Sequence, residues 1–153
     1  RLLTVGGAVR LVIMASNDTA PTETLLEEVQ TRIDPTQNAG EGVGLAPIGH
    51  VVRVEGVTPE PVNIDLNLTF APGWSWEAVK SYVEGVIDNY FVELAKTWAS
   101  SDFLVVRISQ IESRILAGCA PMITDIGGTR STGVESNLAL GADSVPVRGE
   151  VNG

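Results

Sequence analysis

The sequence predicts an α+β protein in two parts. A small β-α-β unit with a glycine-rich connector occupies residues 1–56, and a larger α+β domain occupies residues 57–153. Two observations carry this prediction. Apolar residues recur at helical spacing in three segments, and they alternate strictly with polar residues over positions 62–70, as in a half-buried strand. Stretches rich in Gly and Pro at 35–49 and 58–61 separate these segments.

The small unit begins with a strand predicted over residues 9–16, which are rich in Val, Ile and Leu. A helix is expected over residues 22–34, because its apolar side chains share one face and its acids precede Arg32, in the favourable sense for the helix dipole. Pro35 ends it. The loop that follows, up to Gly49, leads into a strand over residues 50–56.

The larger domain is expected to hold an antiparallel sheet packed by one long amphipathic helix and a shorter capped helix. The strand over 62–70 buries alternate residues. Ser75 is the expected N-cap of the long helix, which runs to about residue 98, with Trp74 and Val79 as a hydrophobic staple. Its predicted core face includes Val83, Ile87, Phe91 and Trp98.

The remaining elements are short. A strand is expected at 103–107, and Ser109 with Glu112 forms a capping box that starts a helix ending near Gly118. A strand at 122–126 is expected to turn at Gly127-Gly128. Another strand covers 138–140, and the last, over 145–151, is predicted at a sheet edge because Pro146 cannot donate a hydrogen bond to a neighbouring strand.

The composition excludes several classes of function. The formal charge is −9, from 10 basic and 19 acidic residues, and no basic stripe is present, so nucleic acid is not an expected partner. No apolar run approaches the roughly 20 residues of a membrane helix. The single Cys119 favours a reducing compartment. Residues 1–7 do not resemble a secretion signal. Since the sequence lacks an initiator Met, we expect a piece of a longer protein.

No catalytic, cofactor-binding or metal-ligating residue is predicted. The glycines at 40–44 follow a helix and precede a strand, the reverse of a phosphate-binding loop. His50 has no partner at metal spacing and is interpreted as a structural or surface residue at the start of a strand. Cys119 follows a helix C-terminus, where its pKa would rise, and is interpreted as core. Asp125 and Glu135 have no spacing that supports a carboxylate pair.

Other candidates also have ordinary interpretations. Trp74, Trp76 and Trp98 could form a binding platform, but their spacing on one helix and its staple indicates core. Asn17 and Asn67 match the glycosylation motif by chance, given no secretion signal. The residues alone leave an enzyme, a binding module and a structural part open as alternatives.

The order of the motifs resembles the Baseplate J-like family of contractile phage tails. The segment Leu45-Ala46-Pro47-Ile48-Gly49-His50 leads into paired strands, as in that family, and Pro61-Val62-Asn63-Ile64 begins the next one. The long helix, the Ser-capped helix, an Asn-Leu strand at 137–138 and a closing Pro-Val-Arg-Gly at 146–149 follow in the family's order, over residues 9–151. Ala120-Pro121-Met122 departs from it, because many members carry Gly-Val there.

The resemblance implies a structural component of a baseplate wedge, its C-terminal portion, in a phage or prophage-derived tail that assembles in the bacterial host cytoplasm. The implied partners are other baseplate and tail subunits, without nucleic acid, membrane or catalysis, and the piece alone is expected to be a monomer or weak oligomer. The loop at 40–49 would be a hinge between the two units. The loop and the strand at 145–151 are the candidate neighbour contacts.

A ligand- or carbohydrate-binding module of a tail or surface protein is the alternative. That alternative predicts an exposed aromatic cluster or a pocket, whereas the assembly interpretation predicts broad surfaces of strand edges and helices. An enzyme would need a pocket in which His50 meets an acid and a nucleophile.

Overall fold

A computed structural model describes residues 2–5 and 7–153 of the chain. It confirms the predicted α+β class. The chain divides into two compact units, residues 1–58 and residues 59–153. Among the described residues no helix has the length and apolar character needed to cross a lipid bilayer.

The first unit is a three-stranded sheet with one crossover helix. The sheet order is β1-β2-β3, with β1 antiparallel and β3 parallel to the central strand. Parallel neighbours need a long connection, and helix α1 supplies it. The sequence did not predict β1. The elements are β1 Leu2–Val5, β2 Ala8–Ile13, α1 Glu23–Ile33, a 3₁₀ turn Thr36–Asn38 and β3 Val51–Gly56.

Helix α1 begins and ends where the sequence predicted. Thr22 is the N-cap, and its hydroxyl oxygen accepts a hydrogen bond from the backbone N–H of Leu25 at 3.3 Å. Glu23 lies in the first turn and Arg32 in the last, each at the end of the helix dipole that stabilises its charge. Asp34 is the C-cap, and Pro35 follows it.

Two side chains near the end of α1 satisfy the outer edge of β3. The buried carboxylate of Asp34 accepts hydrogen bonds from the backbone N–H groups of Gly40 at 2.9 Å and Val52 at 2.8 Å. The Gln30 amide donates to the carbonyl of Val52 at 2.8 Å and accepts from the N–H of Val54 at 2.8 Å. Gln30 and Asp34 therefore occupy the hydrogen-bonding positions that a further strand would use.

The second unit places helices α2 and α3 with a three-stranded sheet of order β6-β4-β8, and β5 pairs with β7 separately. Strands β4 and β6 are antiparallel, as predicted. The elements are β4 Thr58–Phe70, α2 Trp76–Ala95, a 3₁₀ turn Trp98–Ser100, β5 Val105–Val106, α3 Ile108–Gly118, β6 Ile123–Ser131, β7 Leu138–Ala139 and β8 Ser144–Asn152.

The core of this unit follows the predicted faces. From β4, Val62, Ile64 and Leu66 are buried, and the intervening residues are not. The predicted core residues Val83, Ile87 and Phe91 of α2 and Trp98 after it are also buried, whereas Trp76 is only half-buried. Helix α3 contributes Ile111 and Ile115. The fully or nearly buried side chains of α2 and the turn after it are Val79, Val83, Ile87, Tyr90, Phe91, Ala95 and Trp98.

The expected turn at Gly127-Gly128 is wrong. Strand β6 continues through these glycines, and its register with β4 shifts between the pairs Asn67↔Gly127 and Asp65↔Arg130, which marks a β-bulge. Gly128 has φ +57°, which suits glycine at such a bulge. The chain reverses later, at Thr132 and Gly133, with φ of +51° and +81°.

The expected Ser109 cap is also wrong. Helix α3 starts two residues earlier than that cap would allow, at Ile108, with Arg107 as the N-cap. Its first N–H groups are satisfied by distant side chains. The Asn137 amide oxygen accepts from the N–H of Ile108 at 3.0 Å, and the Tyr90 hydroxyl oxygen accepts from the N–H of Arg107 at 3.0 Å. A tertiary cap of this kind replaces the local capping box.

Gly118 is the last residue of α3, and Cys119 is the C-cap in its place. A Cβ at position 118 would lie 2.8 Å from Val86 Cγ2 of α2. Glycine at this position therefore allows α2 and α3 to approach closely. This packing requirement explains the glycine better than a role in ending the helix does.

Candidate assembly surfaces

The loop at 40–49 belongs to the first unit and does not connect the two units, so the expected hinge is wrong. Backbone hydrogen bonds fix it to the end of α1: the N–H of Leu45 donates to the carbonyl of Arg32 at 3.2 Å, and that of Ala46 to Ile33 at 2.8 Å. A Cβ at Gly44 would lie within 2.4 Å of the Ile33 carbonyl oxygen. Only glycine fits this approach.

This fixed loop and the first residue of β3 present large apolar side chains to solvent. Val43, Leu45, Ile48 and Val51 are 63%, 74%, 77% and 48% exposed, and we call them the apolar loop. Scattered apolar residues on a surface are ordinary, whereas several large exposed apolar side chains close together in sequence on an ordered backbone are a candidate contact surface. The sequence pointed to this segment but not to which of its side chains would be exposed.

His50, the histidine at the start of β3, is exposed, and its backbone N–H donates to the carbonyl of Pro47 at 3.1 Å. The nearby glycines serve the loop fold: the N–H of Gly40 is taken by Asp34, and that of Gly49 donates to the Gly40 carbonyl at 2.8 Å. The backbone N–H groups of Gly40 and Gly49 are therefore already used within the chain.

Cys119 is fully buried, and burial raises the pKa of its thiol. The raised pKa agrees with the sequence analysis, although burial is its cause instead of the helix dipole. A thiol of this kind is a weak nucleophile. Asp125 is exposed, and its carboxylate accepts from the N–H of Ile126 at 2.9 Å. Within residues 2–5 and 7–153, no group of three or more His, Cys, Asp or Glu is placed to hold a metal ion.

The three tryptophans have different environments. Trp98 is 2% exposed, and its indole N–H donates to the carbonyl of Ala142 at 3.0 Å, so its assignment to the core is confirmed. Trp76 is half-buried. Trp74 is 42% exposed, so the core assignment is wrong for this residue. It precedes the helix on a chain that turns at Gly73, which has φ +88°.

Strand β8 lies at the edge of its sheet, as predicted. Its inner residues Val145, Pro146 and Val151 are buried, and Val147 is 37% exposed. Arg148 ties the strand to α2 through Glu84 at 3.3 Å and Asp88 at 2.8 Å. The hydrogen bond to Asp88, followed by the charges of both acids, raises the pKa of the Arg148 guanidinium.

An open cleft of about 570 Å³ lies where α3 begins. Its titratable groups are Glu112 and Glu135, and Ser109, Ser136 and Asn137 line it with hydroxyl and amide groups. Thr129, which also lines the cleft, is 1% exposed, and its hydroxyl has no hydrogen-bond partner among the residues that the structure describes. The cleft contains neither His50 nor Cys119, so the residues considered above for catalysis do not meet there.

Residues 62–153 match the family described as Baseplate J-like protein C-terminal domain. Two proteins of Bacillus subtilis (strain 168) are similar over nearly the whole chain. One is an uncharacterized protein, YqbT, 31% identical over 146 residues, and the other is the phage-like element PBSX protein XkdT, 30% identical over 145 residues. Each alignment covers 95% of this chain and 39% of the relative. The chain thus spans about two fifths of these relatives.

A solved structure has a similar fold at much lower sequence identity. It is a chain from the cryo-EM structure of the anti-feeding prophage baseplate, symmetrised with six-fold symmetry. The alignment has a TM-score of 0.54 and 8% identity, and it covers 94% of this chain and 29% of that chain. At this identity the likeness concerns the fold alone.

Proposed function

Since this chain belongs to the Baseplate J-like family, whose C-terminal domain matches residues 62–153, we propose that it is a structural component of a contractile phage or prophage-derived tail baseplate wedge. One observation carries the proposal. The matched residues coincide with the second compact unit, residues 59–153, so the family pattern corresponds to a folded domain and not to scattered motifs.

The chain acts through protein-protein assembly with other baseplate and tail subunits. The apolar loop and strand β8 are its contact surfaces. The apolar loop offers four exposed aliphatic side chains on a backbone that is already ordered, so docking it costs little conformational entropy. Strand β8 offers a sheet edge on which another chain can pair.

The same proposal includes what the chain does not do. It carries no catalytic, cofactor-binding or metal site and binds neither nucleic acid nor membrane.

Its location is the tail baseplate, assembled in the bacterial host cytoplasm, and by itself it is a monomer or weak oligomer. The two parts divide near residue 56, where a small β-α-β unit meets the baseplate-type domain. The formal charge of −9 supports the exclusion of nucleic acid.

The test is assembly of tails in the producing bacterium. Tails made with residues 59–153 deleted should lack a complete baseplate under electron microscopy. A finer variant replaces Leu45 and Ile48 by Asp, which should leave the fold intact and reduce incorporation, because both side chains are more than two thirds exposed. Gln37→Asp, an exposed change on the adjoining 3₁₀ turn, is the matched control.

If tails made with residues 59–153 deleted were still contractile and infectious, the structural proposal would be wrong. The alternative, a ligand- or carbohydrate-binding module, would then move to first place. Its starting point would be the exposed aromatic side chains Trp74 and Phe103, which are 42% and 52% exposed. Normal incorporation of the Leu45 and Ile48 variant alone would remove the apolar loop from the contact surfaces and leave the baseplate role standing.

A further inference from the structure

The solvent face of α2 has an unusual composition for a surface helix. Its central line consists of Ala78, Tyr82, Gly85, Asn89, Val92 and Lys96, all exposed, and we call it the α2 seam. Tyr82 and Val92 are 57% and 45% exposed. The only charged residue on this line is Lys96, at its end. A surface helix ordinarily presents charged residues opposite its buried face.

The spacing along the seam is 4-3-4-3-4, the spacing of the positions that meet when two α-helices pack at a shallow angle. This series of spacings is the same in both directions along the helix. In an antiparallel pair of α2 helices, Tyr82 of one copy therefore faces Val92 of the other, and Gly85 faces Asn89. Each larger side chain meets a smaller one, so the seam is complementary to itself.

Gly85 has no explanation within the chain. It lies in the interior of a 20-residue helix, where glycine destabilises by roughly 0.5–1 kcal/mol relative to alanine. A Cβ at this position would meet no atom within 4 Å in the described part of the chain. By contrast, Gly118 must be glycine because a Cβ there would be too close to the side chain of Val86. An absent side chain at Gly85 is useful when a second helix approaches closely.

The charges also fit a second copy. The acids beside the seam are neutralised within the chain: Glu93 by Arg114 at 2.7 Å, and Asp88 by Arg148 at 2.8 Å. In the described part of the chain, neither Glu77 at the start of α2 nor Lys96 at its end forms an ion pair within 4 Å, although the charge of Lys96 also acts on Glu93. Antiparallel pairing places Lys96 of one copy opposite Ala78 of the other, next to Glu77, and opposite charges that flank a helix–helix seam favour such a pairing.

We propose that the α2 seam is a self-pairing surface on which two copies of this chain associate through antiparallel α2 helices. A 20-residue helix is about 30 Å long, so one such pair is smaller than a stable interface of roughly 1,200–2,000 Å². The pairing is therefore weak for the free chain and becomes populated when an assembly holds two copies close together. It concerns the chain itself and does not depend on the proposed function.

Disulfide cross-linking tests the geometry on the purified chain. Gly85→Cys and Asn89→Cys variants, carrying tags of different size, are mixed at high concentration and oxidised. Antiparallel pairing predicts that, from equal amounts of the two variants, the mixed dimer makes up clearly more than half of all covalent dimers, the share that random pairing would give. The buried Cys119 does not interfere. A dominant self-linked dimer of Tyr82→Cys would indicate parallel pairing, and cross-linking no better than that of the exposed control Gln37→Cys would indicate random collision; either result overturns the proposal.

Charge reversal tests the ends of the seam. Sedimentation equilibrium should show weaker association for Glu77→Lys and for Lys96→Glu, by about two- to tenfold each, and recovery in the double variant. Tyr82→Glu should abolish association, and circular dichroism checks that each variant is folded. A double variant that associates no better than the single variants contradicts the pairing, as does Tyr82→Glu with unchanged association. The baseplate role would survive either failure.

Discussion

At the scale of single residues, the side chains with the largest structural effect connect segments distant in sequence. The carboxylate of Asp34 joins the end of α1 to the loop at Gly40 and to β3 at Val52. Asn137 reaches the start of α3 from a loop about thirty positions later. Each accepts hydrogen bonds from backbone N–H groups, and leaving a buried donor such as the Val52 N–H unpaired costs about 1–3 kcal/mol.

Replacing Asp34 by Ala should lower the free energy of unfolding by about 2–4 kcal/mol, because two hydrogen bonds to a carboxylate are lost. Hydrogen exchange gives the most local measurement: the amides of Gly40 and Val52 should lose protection first. Gln37→Ala, at an exposed position on the adjoining turn, should change neither. Unaltered protection at Val52 in the Asp34 variant would contradict the assigned role.

Cys119 should make stability fall at alkaline pH. Burial raises the pKa of the folded thiol, so the unfolded thiol ionises first as pH rises. The stabilisation is fully present below the ordinary thiol pKa, about 8.5, and is lost above it. Urea unfolding at pH 7 and pH 10 should show a larger loss for the parent than for Cys119→Val. Equal losses in the two proteins would show that the thiol does not contribute.

At the scale of elements, the helices of the second unit depend on contacts from other elements. Arg114 of α3 pairs with Glu93 of α2 at 2.7 Å, and its guanidinium lies 4.9 Å from the centre of the Tyr90 ring. The hydrogen bond to Arg114 lowers the pKa of Glu93. Tyr90 also accepts from the N–H of Arg107, so one aromatic residue of α2 contacts α3 and caps its start.

Two substitutions test whether the start of α3 is capped by its own Ser109 or by Asn137, which is distant in sequence. Asn137→Ala should cost about 1 kcal/mol of stability, since it removes the acceptor of the Ile108 N–H. Ser109→Ala should stay within about 0.5 kcal/mol, since Ser109 lies inside the helix and is exposed. Thermal melts of both variants test this order. A larger effect at Ser109 would restore the capping box that the sequence predicts.

The buried face of α2 should carry much of the stability of the second unit. Phe91 is 3% exposed, and Phe91→Ala should cost about 3–5 kcal/mol through lost burial and the cavity left behind. Lys80→Ala, at an exposed position of the same helix, is the control and should have little effect. Chemical denaturation compares them. A Phe91 variant as stable as the parent would mean that this face is not core.

At the scale of the whole molecule, the chain is two compact units, and the family pattern falls on the second. Residues 59–153 hold their own helices, sheet and apolar core. We expect this segment, expressed alone, to give a dispersed amide NMR spectrum and a cooperative thermal melt. A length near 95 residues is sufficient for an independent domain. A collapsed spectrum without cooperative melting would show that it needs residues 1–58.

The sequence predicted those elements whose signals are local. Helix α1 has its cap and its terminating proline within a few residues of its ends, so it was placed correctly. Residues 62–70 alternate over nine positions and were correctly predicted as strand, but β4 begins earlier, at Thr58, in the segment that was expected to be a connector. The four residues of β1 have too little pattern to distinguish a strand from a connector, and their pairing with β2 is decided by tertiary structure. The order of short motifs predicted the family, because order is a property of the whole chain.

The assembly surfaces were less predictable. Periodicity predicts which face of a helix is buried, but it does not show whether Leu45 or Ile48 of an irregular loop points outward. The glycines show the same limit. Gly127-Gly128 looks like a turn in sequence, and only the register of β6 against β4 shows a bulge. Gly118 looks like a helix end, and only the position of Val86 shows a packing requirement.

The side chains that cover the outer edge of β3 affect whether copies of the chain can join one another through their sheets. A row of free backbone groups on a sheet edge is a template on which identical chains add strand after strand, and polymers grow from such edges. Gln30 and Asp34 terminate that growth on the β3 side by filling its hydrogen-bonding positions. Copies of the chain are thereby protected from joining one another through this edge.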